Sequence, residues 1–142
     1  MDSKFPWLKE IDHTGDCGFT LEAGSIKHLF ERAALGMMRI ITDPSTVSPL
    51  AKVSFSIEER DSEALLRKWL SQLNFYHITN DFLFSRFEVK FKNPNEIAAS
   101  AWGEKINADV HEIYTEIKAV TYHELNIIKT STGWSARIIF DL

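Results

Sequence analysis

Three features of the chain predict an α+β fold: a single domain spanning residues 1–142, with a mainly antiparallel sheet packed with two or three helices. Two long segments carry apolar residues at helical spacing, each behind a polar residue suited to capping. About seven shorter segments alternate apolar and polar residues, the period of a half-buried strand. The links between segments have the length and composition of turns.

The elements follow in order. Residues 16–23 place Cys17, Phe19 and Leu21 in one phase, after a turn at Thr14 and Gly15. Gly24 interrupts that strand, and Ser25 offers a capping oxygen to a helix carrying Leu29, Phe30, Ala33, Ala34, Met37, Met38 and Ile41 on one stripe. Pro44 closes this helix, because it lacks an N–H and restricts the residue before it. In residues 51–58, Val53, Phe55 and Ile57 point one way and Lys52, Ser54 and Ser56 the other.

Asp61 and Ser62 are candidate caps for a second helix, whose stripe is Leu65, Leu66, Trp69, Leu70, Leu73 and Tyr76. Phe87, Val89 and Phe91 then alternate, Asn93-Pro94-Asn95 makes a turn, and Ile97, Ala99 and Ala101 alternate again. Between 104 and 117 the pattern indicates at most a helical turn around Asn107 to His111. A terminal hairpin is expected from KAVTYHELNIIKT, the turn STG and WSARIIFDL. Its first strand breaks alternation: Val120 and Tyr122 share one phase, Leu125 and Ile127 the other, with the flip at His123 and Glu124. A β-bulge that serves packing, or a polar surface beside a site, would each explain the break.

Composition bounds the function. No apolar stretch approaches the roughly 20 residues of a membrane span, and the start lacks a signal-like apolar core, so a cytoplasmic protein is expected. A single cysteine excludes an internal disulfide and a multi-thiolate zinc site. The net charge of −4 argues against gripping nucleic acid unaided, and Lys90 to Lys92 reads as a solvated strand face.

Nucleotide-binding glycine loops, the HExxH zinc motif and the GxSxG serine motif are absent. Cys17 beside His13 or His123 would make a nucleophile and base, but its apolar phase favours core packing. In His13-Thr14-Gly15-Asp16 the spacing itself favours Asp16 as a turn cap. Asp141 and the α-carboxylate of Leu142 bring two anions close together, both ionised at neutral pH. With Asp16 alongside, three hard oxygen donors would suit Ca²⁺ or Mg²⁺; alternatively the terminal Asp-Leu frays into solvent.

These residues resemble the archease family. His13-Thr14-Gly15-Asp16 is similar to its His-Thr-Ala-Asp element, Lys118-Ala119-Val120-Thr121-Tyr122-His123 to its Lys-Ala-x-Thr-Tyr-His run, and Asp141-Leu142 to its terminal pair. The phrase LFERAALGMMRIITDP and the Gly-Trp of the last turn extend the likeness over nearly the whole chain. Gly15 replaces the usual alanine and loosens the turn that aims Asp16; Cys17 replaces an aliphatic.

The resemblance implies a non-catalytic partner of an RtcB-type tRNA-splicing RNA ligase. Such a partner promotes guanylylation of the ligase's active-site histidine, permits repeated turnover and broadens nucleotide use. It also implies a divalent metal held by Asp16, Asp141 and Leu142, with no catalytic residue in this chain. His13, Thr14, Lys118, Thr121, Tyr122 and His123 become candidates for supporting the site or contacting the partner. Two other classes remain: a metal-dependent phosphodiesterase or nuclease, and a chaperone-like interaction module. The last would show a large exposed apolar patch, fed by Phe82-Leu83-Phe84 unless that run is a buried strand.

Overall fold

Ser25 and Asp61 begin the two helices as their side chains suggest: Ser25 Oγ accepts from the His28 N–H and Asp61 Oδ1 from the Ala64 N–H. The helices are α1 (Ile26–Ile41) and α2 (Ser62–Asn80). The structure, a computed structural model, describes the backbone of residues 5–13 and 16–142, with side chains throughout except at Asp12 and His13. The strands are β1 (Leu8–His13), β2 (Asp16–Ala23), β3 (Ala51–Glu58), β4 (Phe82–Asn93), β5 (Glu96–Lys105), β6 (Ala119–Val120), β7 (Asn126–Lys129) and β8 (Trp134–Asp141). Pro44 opens a short 3₁₀ turn after α1, with Asp43 accepting from the Ser45 N–H.

The single sheet expected from the sequence is two sheets. One runs β1-β2-β8-β6, with β7 also on β8; the other runs β3-β5-β4. All pairings are antiparallel. Both helices touch both sheets, so a shared core forms between them. Its centre is Trp69, fully buried, with Nε1–H donating to the Phe30 carbonyl at 3.1 Å and the rings of Phe55 and Phe87 edge-on. Phe82, Leu83 and Phe84 are buried in this core, so they feed no exposed patch.

The terminal hairpin is interrupted. Val120 opposes Phe140 and Asn126 opposes Arg137, so six steps along one strand match three along the other. The extra length loops out between β6 and β7 as a turn, in which the Leu125 N–H donates to Tyr122 O and Glu124 takes φ +53°. This is the physical cause of the phase flip.

The long 104–117 segment is tied down by a polar clamp. Val110 and His111 donate to Asn107 O, one turn and no helix. His111 Nδ1 accepts from the Asn107 N–H, which leaves Nε2–H to donate to Glu104 at 2.9 Å. The Glu104 carboxyl is held below its ordinary value, chiefly by the Ser48 N–H and then by His111. A carboxyl depressed in the folded state contributes stability above its unfolded pKa and loses it as pH falls through the folded value. Glu104→Gln is therefore expected to lower Tm by a few degrees at neutral pH and to match the parent in acid. Melting curves from pH 7 to pH 3 check this; a constant offset would remove the ionic part of the clamp.

Candidate functional site

Asp16 opens β2 and Asp141 closes β8, and the register sets them directly opposite one another. Opposed residues of an antiparallel pair share a face, with Cβ atoms about 4.5–5.5 Å apart. Along that face follow Gly18 opposite Ile139 and Thr20 opposite Arg137. On the other flank Asp141 opposes Ala119, and the Lys118 N–H donates to Asp141 O at 2.8 Å. Asp141 is thus paired on both sides.

Leu142 does not fray. Its side chain is half-buried against the core, which ties the terminal backbone beside Asp141. His13 opposes Asp16 in the β1–β2 register, so the backbone brings it to the same end of the sheet. Thr14 and the Thr14–Gly15 turn lie outside the described residues.

Among the described residues neither the Asp16 nor the Asp141 carboxylate takes part in a hydrogen bond or ion pair. Like charges opposed across a ladder repel, and a bound cation removes that cost. No group of three His, Cys, Asp or Glu side chains among the described residues is placed to hold a metal ion. Carboxylate oxygens such as those of Asp16 and Asp141 are of the donor type that Ca²⁺ and Mg²⁺ take.

The run from Lys118 to His123 divides by role. Thr121 is spent on the sheet: its N–H and Oγ1–H both donate to Ile139 O, at 3.1 and 2.9 Å. Lys118 and His123 are exposed, and the His123 N–H donates back to Thr121 Oγ1. Tyr122 is 51% exposed, with the Arg67 guanidinium 4.4 Å and that of Arg60 5.8 Å from its ring centroid. Arg67 Nε also donates to Val120 O, so α2 braces this surface. Arg137 Nε donates to Glu124 at 2.7 Å, fixing the looped-out turn on β8. Sequence spacing missed Arg60, Arg67 and Arg137, because each reaches its partner across a long stretch of chain. Cys17 is half-buried and packs against the core, as its phase suggests.

The fold is that of a two-sheet α+β protein that sets two carboxylates opposite one another at a strand end. Residues 8–142 match the archease protein family, and the chain belongs to that family. It is 36% identical to protein archease of Methanopyrus kandleri, over 96% of this chain and 99% of that one. It is also 36% identical to protein archease of Saccharolobus islandicus, over 93% of this chain and 96% of that one.

Among solved structures it resembles Methanobacterium thermoautotrophicum protein 1598, with TM-score 0.79 and 36% identity, covering 96% of this chain and 99% of that one. A Thermotoga maritima protein described as an archease, possible chaperone, shares the fold with TM-score 0.64 and 18% identity, covering 94% of this chain and 96% of that one. No helix among the described residues is long and apolar enough to cross a membrane.

Proposed function

We propose that this chain is the activating partner of an RtcB-type RNA ligase in tRNA splicing. It acts in the cytoplasm by protein contact, promotes guanylylation of the ligase histidine and broadens its nucleotide use. The observation that supports this reading is the direct opposition of Asp16 and Asp141, whose carboxylates bond no group among the described residues, beside Leu142.

In this reading the two carboxylates and the Leu142 α-carboxylate hold Ca²⁺ or Mg²⁺. When bound, the ion offsets phosphate charge near the ligase's nucleotide. The chain's own residues do the rest. Thr121 fixes the strand behind Asp141, while His13, Thr14, Lys118, Tyr122 and His123 are the proposed contacts to the ligase. A net charge of −4 favours encounter with a basic, RNA-binding ligase and disfavours direct contact with RNA.

The test is RNA joining by the ligase held substoichiometric to RNA, with and without this chain, alongside calorimetric titration with Ca²⁺ and Mg²⁺. The parent is expected to raise both ligase guanylylation and turnover. Asp16→Asn and Asp141→Asn should each weaken metal binding about a hundredfold and remove activation. One added residue after Leu142 should weaken metal binding as well. Loss of metal binding with activation intact would refute the mechanism, and RNA cleavage by this chain with Mg²⁺ alone would replace it with a nuclease.

A further inference from the structure

Strand β3 is an open sheet edge. It pairs with β5 on one side, and among the described residues no group bonds to its other side. Such a row of free N–H and C=O groups is a template for another strand, and edges are commonly blunted by bulges, proline, lysines or covering groups; of these β3 carries one lysine, Lys52, near its end. The opposite edge of the same sheet, β4, is blunted in this way. Its register shifts between Phe84 and Arg86 and between Phe91 and Asn93, and Glu31 accepts from its Val89 N–H at 2.9 Å. Strand β3 has neither a register shift nor a proline over its eight residues.

The sequence of β3 also fits itself in reverse. In an antiparallel pair centred on Phe55, Lys52 meets Glu58 of the second copy, Val53 meets Ile57, Ser54 meets Ser56, and Phe55 meets Phe55. Every match is favourable: opposite charges, β-branched apolar pairs, hydroxyls and an aromatic pair. Phase is preserved, so the half-buried Val53 and Phe55 meet apolar residues on the core face while the exposed Lys52, Ser54, Ser56 and Glu58 meet on the outer face.

Among the described residues the charged ends have no ionic partner. Lys52 lies 5.7 Å from the Trp102 ring centroid but forms no ion pair, and Glu58 sits directly opposite another acid, Glu96. A second copy brings a lysine to each Glu58.

We infer that β3 is the interface of a two-fold symmetric homodimer, joining two three-stranded sheets into one continuous sheet. The contact is isologous, so each charge pair occurs twice. Lys52 and Glu58 of one chain stand about 20 Å apart along the strand and cannot pair with each other.

That separation supplies the test. Sedimentation equilibrium of the full chain over a concentration series is expected to give a monomer–dimer equilibrium. Lys52→Glu turns two attractions into two repulsions and should raise the dimer Kd about tenfold, an effect that shrinks in high salt. Adding Glu58→Lys restores opposite charges in the same register and should return Kd to near the parent value. A fold defect would not be rescued, because the two sites do not touch within a chain. A monomer at the highest soluble concentration overturns the inference. So does a dimer indifferent to Lys52→Glu, or a double variant no tighter than Lys52→Glu alone.

Discussion

Trp69→Ala is expected to lower the unfolding free energy by about 3–5 kcal/mol, among the largest single effects available in this chain. The indole is fully buried, fills the space between Phe55 and Phe87, and hydrogen-bonds the Phe30 carbonyl of α1. Removing it leaves a cavity where α1, α2 and the three-stranded sheet meet. Trp69→Phe keeps most of the volume but loses the N–H donor, worth about 1 kcal/mol, so it should fall between parent and alanine. Urea midpoints at unchanged slope measure the series. Equal losses for both variants would mean that the hydrogen bond, and not the filled volume, dominates.

Gly18→Ala should be nearly as damaging and should also reach the site. A Cβ at Gly18 would overlap the Ile138 carbonyl oxygen and fall 2.8 Å from Ile139 Cδ1. The first obstacle is backbone, so strands β2 and β8 must separate locally. Gly18 lies two residues from Asp16, and Ile139 two residues from Asp141. The expected result is a loss of about 1–3 kcal/mol together with weakened binding of Ca²⁺ or Mg²⁺, although no proposed ligand changes. Calorimetry and denaturation on the same protein separate the two effects. Full metal affinity in a folded Gly18→Ala chain would show that the carboxylates do not depend on this register.

The parts of the fold legible in the sequence were those governed by local chemistry. Both helices begin at the polar caps expected of them, and β2 and β3 span the residues their alternation marks. Strand β1 escaped notice because Lys9, Glu10 and Asp12 leave LKEIDH with little apolar phase. Among the described residues it is an edge strand that pairs with β2 alone. The division into two sheets was hidden for another reason: alternation shows that a strand has a buried face but not which strand lies beside it.

The candidate site shows the same divide. Spacing alone favoured Asp16 as a turn cap and a fraying Asp-Leu end. What joins Asp16 to Asp141 is a register spanning nearly the whole chain, and resemblance to a family suggested the pair where periodicity could not. The break at His123 and Glu124 was visible, but its cause was not. An inserted turn and a displaced binding surface leave the same mark on a one-dimensional pattern, and here Thr121 serves the sheet while Tyr122 faces solvent.

The position of β8 has a kinetic consequence. The three-stranded sheet is built from residues 51–105 and can form from segments close in sequence. The larger sheet cannot, because β2 has no partner on its inner side until β8 arrives from the far end of the chain. Closing so long a loop is entropically costly and slows folding. The small sheet with its helices should therefore form early, and docking of β8 should complete the molecule. Until that last strand docks, Asp16 and Asp141 are separate carboxylates on a flexible chain, so their opposition exists only in molecules that have finished folding.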